Sequence, residues 1–578
     1  MRYRWHEPAG GALPPGADKA AIVAALVARR GYLTPGAIAD FLQPTPVTLA
    51  DPMLLAGLDR AVDRLGQARA RGERIAIWGD YDVDGLTSTA LLDQVLRGIG
   101  CAPPYLHIPH RVREGYGLKP DGISRLAAAG ATLLVAVDCG VSDRAAIAQA
   151  TALGIDTIVL DHHQLPPLLP DAVAVVNPHR SDSAYPFRNL AAVGVAFTLA
   201  RALDQAGFAL GGAWSENELD LLDLLDLVAL GTVADVVPLT GENRALVAWG
   251  LNALRHTRRP GLVALCQVAA LTPERLTAWE IGHALGPRLN AAGRIADPAP
   301  ALRLLRSTST EEALPLAQEL DRLNRERQRE LGRIVEEAIA RVEADGPLDD
   351  TRPILQLDGH GWTAGVVGLV AGRLTERYSR PAIVLERGEA VSKGSARSID
   401  GFNLVEALAA CADLLDHYGG HAKAAGLTVA NENLEELRAR LLEIATARLS
   451  ADHLRPSLAL DLELAAGDLT YATAEAIGTL EPFGHGNPEP LLLVRAVRPR
   501  WVKTSYDGKH LFFTLPINSP QGRSGVRCVA FSQGVRKDEL LAATGGQVDL
   551  AGTLRREWWQ GEERLGFHLR DFRPTAAG

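Results

Sequence analysis

Four short apolar runs stand out in the first half of the chain: Ile75 to Trp78, Leu133 to Val137, Thr157 to Leu160 and Val173 to Val176. Each is short and rich in β-branched residues, and helix-spaced stretches separate one from the next, so the pattern predicts parallel strands with helices on both faces. Every run ends in polar residues able to do chemistry. The first leads into Asp80, Asp82 and Asp84, the second into Asp138-Cys139-Gly140, the third into Asp161-His162-His163 and the fourth into Asn177-Pro178-His179. A helix is expected to begin near Thr87, and a further acid, Asp235, follows an apolar helix expected over residues 219–230.

From Gln318 to Glu343 the apolar residues Leu323, Leu331, Ile334, Val335, Ala338, Ile339 and Val342 share one helical face, opposite a charged one. At 1.5 Å per residue such a helix runs about 40 Å, enough to join two domains. A second α/β unit follows, with strands near Ile354 to Leu357, Ala382 to Leu385 and Val391 to Ala396 and helices near Val366 to Tyr378 and Leu434 to Leu449. Beyond Arg455 the pattern changes to short alternating strands ("HLFFTL", "VRCVAF", "VDLAGTL", "LGFHLRDF"), which predict a small antiparallel barrel. The fold class is therefore α/β: two α/β domains joined by a long helix, plus an OB-like β-barrel. The expected boundaries are an N-terminal extension over 1–70, a first α/β domain over 71–317, the helix over 318–345, a second α/β domain over 346–452 and the barrel over 453–578.

Composition narrows this picture. No run reaches the ~20 apolar residues of a membrane span, and Ala20 to Ala28 has the wrong charge order for a secretory signal, reading instead as an amphipathic helix. Five cysteines without a CxxC pair fit a reducing cytoplasm and argue against a disulfide framework or a zinc ribbon. The net charge is −9, yet Arg495 to Arg573 holds fourteen Lys and Arg against eight Asp and Glu, a local +6 that leaves −15 elsewhere. Only seven of the sixty basic residues are lysine. Arginine suits bidentate phosphate contacts, although a GC-rich genome produces the same bias. In the basic segment Trp501, Tyr506, Phe512, Phe513, Phe531, Trp558 and Trp559 interleave with the cations, the composition of a single-strand grip. Strand alternation buries at least one of Phe512 and Phe513.

The opening Asp80-Tyr81-Asp82-Val83-Asp84-Gly85 imitates a calcium-binding EF-hand loop, but position twelve is Leu91 rather than Glu and a strand precedes it instead of a helix. Acids at successive strand ends imply a cluster in one cleft, where ligands bind in open α/β sheets. So many carboxylates with one or two imidazoles and no thiolate suit Mn²⁺ or Mg²⁺. Two such ions bridged by a shared carboxylate would serve phosphodiester or phosphoanhydride hydrolysis. Asp138 is the natural bridge, because its strand is expected to lie between those feeding the other clusters. For His162-His163 alone, a pair of core or surface histidines is the simpler reading; within Asp-His-His at a strand end, a role at the centre takes precedence. Arg111, Arg113 and Tyr116 in "RVREGYG", Arg288 in "GPRLNAAGR", Ser395 and Arg397 in "GSARS", and Gly420, His421 and Lys423 in "GGHAKAAG" are phosphate-binding types in turn-rich contexts.

"GDYDVDG", "VDCG", "DHH" and "ADVVPL", in this order, resemble the motifs of the DHH phosphoesterase superfamily, and "GGHAKAAG" resembles its DHHA1 domain. With "PHRVREGYGLKP", "ALGPRLNAAGRI", "GVVGLVAGRL", "SKGSARSIDGFNL" and "EPFGHGNPEP" also present, nearly the whole chain is similar to the RecJ family of bacterial single-stranded-DNA exonucleases. The resemblance implies that the two α/β domains are DHH and DHHA1. It implies two Mn²⁺ or Mg²⁺ ions on Asp80, Asp82, Asp84, Asp138, His162 and Asp235, with His163 near the scissile phosphate. It further implies 5′-to-3′ removal of mononucleotides from single-stranded DNA in recombination and repair, with a single-stranded-DNA-binding protein and a RecQ-like helicase as partners. Two other readings remain open at this point: a nano-oligoribonuclease or cyclic-dinucleotide phosphodiesterase of the same superfamily, and a catalytically silent single-strand-binding scaffold. The C-terminal module counts against the first, and the full set of acids against the second.

Overall fold

A computed structural model describes residues 3–8, 11–44, 49–111, 113–208, 220–519, 522–543, 546–559 and 562–575; the side chains of 517–519, 522–524 and 559, among them the Trp559 ring, lie outside that description. The chain forms two compact units, one of residues 45–454 with 484–486 and one of 1–44 with 455–483 and 487–578.

In the larger unit the four apolar runs, joined by an edge strand that the apolar pattern does not mark, form a five-stranded parallel sheet. Its strands are β1 (Ile75–Trp78), β2 (Tyr105–His107), β3 (Leu133–Val137), β4 (Asp156–Leu160) and β5 (Ala174–Val176), in the order β2-β1-β3-β4-β5. Parallel pairing places all the carboxyl ends on one edge. Between them, β1, β3 and β5 are buried at every residue because helices cover both faces. Helix α1 (Val83–Gly98) starts four residues earlier than expected. The Asp82 carboxylate caps it, accepting from the backbone N–H of Asp84 and Gly85, so acids that read as a turn form the helix's cap and first turn. Of the further helices in this part, α2 (Ala192–Gln205), α3 (Leu225–Ala234) and α4 (Gly286–Ile295) bear on the site. The expected apolar helix over 219–230 is displaced: residue 219 lies outside the described residues, a 3₁₀ turn spans Leu221–Leu224, and α3 runs on to Ala234.

The connecting helix α5 (Thr310–Ala344) is 35 residues long, about 52 Å at 1.5 Å per residue, and begins eight residues before the expected Gln318. It leads to a mixed sheet of β6 (Leu355–Gly359), β7 (Ala382–Arg387), β8 (Val391–Arg397), β9 (Leu415–His421) and β10 (Ala424–Ala430), in the order β9-β10-β8-β7-β6. Helix α6 (Ala364–Tyr378) packs on it. The glycine-bearing stretch 419–426 is thus a β-hairpin.

The smaller unit is built on a seven-stranded sheet of β11 (Leu462–Glu463), β12 (Leu492–Val497), β13 (Arg500–Thr504), β14 (Leu511–Ser519), β15 (Gly522–Ala530), β16 (Val548–Trp559) and β17 (Glu562–Pro574), ordered β11-β12-β16-β17-β15-β14-β13. Phe513 points into its core, together with Phe567 and Phe572. The N-terminal residues belong here: Ile22, Leu26, Val27 and Phe41 are buried in the same core, and Arg4–His6 pairs with Ser457–Ala459.

Candidate metal centre and phosphate cleft

The carboxyl edge of the parallel sheet gathers the acids. Asp80 follows β1, Asp82 and Asp84 begin α1, Asp138 ends β3, His162 and His163 follow β4, and Asp235 caps the C-terminus of α3. One ligand atom each from Asp80, Asp82 and Asp138 lie within 4.8 Å of one another, as do those of Asp84, His162 and Asp235 and those of Asp138, His162 and His163. Asp138 belongs to two of these groups, because β3 lies between β1 and β4. His162 Nε2 is 3.3 Å from Asp138, 3.7 Å from Asp235 and 3.9 Å from Asp84.

Two observations show that this donor set fits divalent ions. Buried Asp80 Oδ1 and His162 Nε2 have no hydrogen-bond partner within the protein, although His162 Nε2 stands among Asp84, Asp138 and Asp235; buried polar atoms are rarely left so. Burial, followed by the neighbouring Asp82 charge, pushes Asp84 up to about 7. Burial, then Asp84 and Asp82, pushes Asp235 up to about 9. Asp80 and Asp138 are raised by burial and by neighbouring aspartates in the same way. Cations in their midst would relieve this repulsion. His162 is depressed to about 3, first by burial and then by His163, so it is the neutral imidazole that a metal requires.

Backbone geometry holds the set in place. Asp138 adopts φ 61, a left-handed conformation uncommon outside glycine. Asp84 Oδ2 and Oδ1 accept the N–H groups of Ala192 and Val193 at 2.7 and 2.8 Å, tying α1 to the start of α2. Asp161, given no site role by the sequence patterns, does similar work: its carboxylate accepts from the backbone of Val141, His162 and His163 and lies 2.8 Å from His163 Nδ1. Burial opposes its charge, but the hydrogen bond and charge of His163 outweigh that and hold Asp161 down at about 2. Burial likewise disfavours charge on His163, and Asp161 reverses the shift to upward. Tyr116 donates to the Asp138 carbonyl at 3.0 Å, with its hydroxyl 3.1 Å from His163 Nδ1.

Near the acids lies a group of arginines, with Arg111 close enough to act on Asp80, and Asp82 on Arg294. Arg111 stacks over the Tyr81 ring at 5.0 Å. Arg294, half-buried at the end of α4, is pushed down to about 10 by desolvation and then by Arg111, Arg327 and Arg397, against the opposing charge of Asp82. Arg397 is lowered by burial and by Arg111. Among the described residues no carboxylate pairs with Arg111, Arg294 or Arg397; backbone carbonyls of Gly365 and Ala396 engage the last two. Ser395 lies two residues before Arg397 on β8, and Ala424 pairs with Arg397, which sets the hairpin carrying Gly420 (φ 137), His421 and Lys423 beside it. Lys423 is ion-paired to Asp400. Arg288 is held elsewhere, its Nε 3.0 Å from Asp321 and its Nη1 on the Ala284 carbonyl. Arg113 is exposed. Arg294 carries no separate sequence signal, since it shares the "GPRLNAAGR" motif with Arg288.

Arginines without carboxylate partners, beside carboxylates that need cations, are complementary to a bound phosphodiester, and on this sheet they define a two-domain metal phosphoesterase of the DHH class. Family models match accordingly: the DHH family N-terminal domain over residues 74–232, the DHHA1 domain over 351–447 and the RecJ OB domain over 460–571. The chain is 38% identical over 553 residues to the single-stranded-DNA-specific exonuclease RecJ of Bacillus subtilis, covering 95% of this chain and 67% of that protein. It is 42% identical over 472 residues to the RecJ of Dickeya dadantii, covering 79% and 82%. The crystal structure of Thermus thermophilus RecJ in complex with Mn²⁺ superposes with a TM-score of 0.81 at 31% identity, covering all of this chain and 80% of that one, and a Mg²⁺ complex of the same protein superposes at 0.72. The chain belongs to the RecJ family.

Proposed function

We propose that this protein hydrolyses single-stranded DNA from the 5′ end to mononucleotides, using two Mn²⁺ or Mg²⁺ ions, in recombination and repair in the cytoplasm. The observation that carries this is the two ligand groups Asp80-Asp82-Asp138 and Asp84-His162-Asp235, joined where His162 Nε2 comes within 3.3 Å of Asp138, beside arginines that lack carboxylate partners among the described residues. The relatives named above bear the activity in their names, and two RecJ structures were solved with these metals.

In this reading Asp80, Asp82, Asp84, Asp138, His162 and Asp235 hold the ions. Ions bound there supply a hydroxide at neutral pH and neutralise the leaving oxygen. Asp161 holds His163 by Nδ1, which leaves Nε2 to hydrogen-bond an oxygen of the scissile phosphate. Arg111, Arg294, Ser395 and Arg397 hold the terminal phosphate, with Gly420, His421 and Lys423 at the rim, Tyr116 beside the reacting centre and Arg288 bracing the helix that carries Arg294. Anchoring the end in one place and cutting in another releases one nucleotide per cut. The barrel acts as a grip on the remaining strand. A single-stranded-DNA-binding protein or a RecQ-like helicase, which presents single strands, suits such an enzyme as a partner. Among the described residues no helix is long and apolar enough to cross a membrane.

The test uses single-stranded DNA labelled at its 5′ phosphate, incubated with Mn²⁺. Labelled mononucleotide as the first product, with a blunt duplex left intact, is the expected result. Cleavage restricted to dinucleotides or cyclic dinucleotides would favour the oligonucleotide phosphodiesterase reading, and no release at all a silent scaffold.

A further inference from the structure

Helix α4 and the turn before it run past the whole centre. Val83, between two of the acids, donates to Asn290 Oδ1 at 3.1 Å. A methyl group added at Gly293 would stand 2.6 Å from the Tyr81 carbonyl, and one at Gly286 3.5 Å from Ala234, next to Asp235. Arg294 at the far end lies in the arginine group. The segment therefore tracks the path of a strand from the terminal-phosphate anchor past the acids.

At its other end stands an aromatic pair to which nothing above assigns a role. Trp279 is 51% exposed, and its ring stacks on exposed His283 with centroids 4.6 Å apart and planes 8° from parallel. The pair is pre-organised. Thr277 and Glu280 form a capping box that fixes the start of the helix. Ile281–Leu285 is a π-helical turn, and His283 Nδ1 lies 3.0 Å from the Trp279 carbonyl. A large apolar ring held half in water on a rigid turn is a ready stacking surface.

We propose that Trp279, backed by His283, is the stacking platform for a base of the DNA strand on the 3′ side of the scissile phosphate. The proposal rests on the single-strand exonuclease reading. From Asn290 to the pair the helical rise gives about 10–17 Å. At the ~3.4 Å spacing of stacked nucleotides that is no more than about five residues of the strand, and fewer if it is extended. Stacking is indifferent to base identity, as an exonuclease that consumes any sequence requires.

The experiment scans single abasic sites along a 5′-phosphorylated dT oligonucleotide, measuring affinity in Ca²⁺ and KM and kcat in Mn²⁺ for the full-length protein. In the unaltered protein one position within the first five should lose about tenfold in affinity when its base is removed. Trp279→Ala should raise KM on the intact oligonucleotide by a similar factor with little change in kcat, and abolish the penalty at that one position. Trp279→Phe should restore most of it. An abasic profile unchanged in Trp279→Ala overturns the platform, as does an equal loss at every position, which would mark a purely structural role. If the unaltered protein cuts no single strand, the exonuclease reading itself fails, a result distinct from either.

Discussion

Asp138 combines two demands, a left-handed backbone and a carboxylate shared between ligand groups. Alanine would strain the backbone as well as remove the ligand, so Asp138→Asn is the cleaner probe, because asparagine tolerates this conformation. It should abolish Mn²⁺-dependent hydrolysis while leaving the thermal midpoint of the metal-free protein unchanged or higher, since one of several mutually repelling buried charges is gone. Calorimetry and turnover together check this; full activity in a folded Asp138→Asn protein would refute the metal assignment. Asp161→Asn should instead slow turnover about 10- to 100-fold, the usual cost of losing the group that orients a ligand, with kcat affected more than KM. Asp80 and Asp138 were legible in the sequence because they follow buried strands, while Asp82, Asp84 and Asp235 sit at or inside helix ends and were legible from their order along the chain. Asp161 follows a buried strand too, but a sequence does not say whether a carboxylate faces a ligand or the backbone. Arg288 and Arg294 pose the same difficulty. Six residues apart, they differ by about 240° around a helix, and only the packing of α4 decides that Arg294 joins Arg111 and Arg397 while Arg288 meets Asp321.

At the level of elements, four strands of the first sheet were readable to within a residue because burial on both faces leaves uninterrupted apolar runs, whereas the edge strand β2, Tyr105–His107, is exposed to half-buried and left no such run to read. Helix starts were less legible. Aspartates favour turns and caps alike, so the beginning of α1 was hidden in what looked like a loop, and Pro315 obscures the first turns of α5. The contact between α4 and α6 had no sequence signal beyond a glycine. A methyl group at Gly365 would stand 1.9 Å from the Arg294 carbonyl, closer than any atom can sit. Gly365→Ala should therefore push the two helices apart, at a cost of about 1–3 kcal/mol, and displace Arg294 from its place near the acids. The expected outcome is a modest fall in thermal stability with a disproportionate rise in KM for 5′-phosphorylated substrates. A KM that stays constant would show that the spacing of these helices does not set the phosphate pocket.

For the whole molecule, the barrel is not a simple C-terminal attachment. Ile22, Leu26, Val27 and Phe41 lie in its core, Trp5 donates to Asp571 at 2.9 Å, and Glu7 pairs with Arg495 and Arg573. Deleting 455–578 alone would expose those four side chains, each worth about 1.5–3 kcal/mol when buried. That variant should aggregate, whereas deleting 1–44 as well should leave a soluble, metal-binding body; light scattering distinguishes the two. The structure also refines the basic character of the barrel. Arg495, Arg536, Arg555, Arg556, Arg564 and Arg573 are all engaged by carboxylates of the same unit. On β13, by contrast, Arg500 and Lys503 are exposed beside Trp501, itself 73% exposed, with Tyr506 just beyond. If this edge grips the strand, charge and stacking should separate experimentally. Replacing Arg500 and Lys503 by alanine removes two phosphate contacts and should flatten the slope of log K against log salt by about 1.4, at roughly 0.7 per contact. Trp501→Ala should cost about 1–3 kcal/mol of affinity and leave the slope unchanged, because stacking releases no counterions. The measurement is a salt titration of binding to long poly-dT in Ca²⁺, where affinities and slopes equal to those of the unaltered protein in both variants would mean that the edge holds something other than DNA.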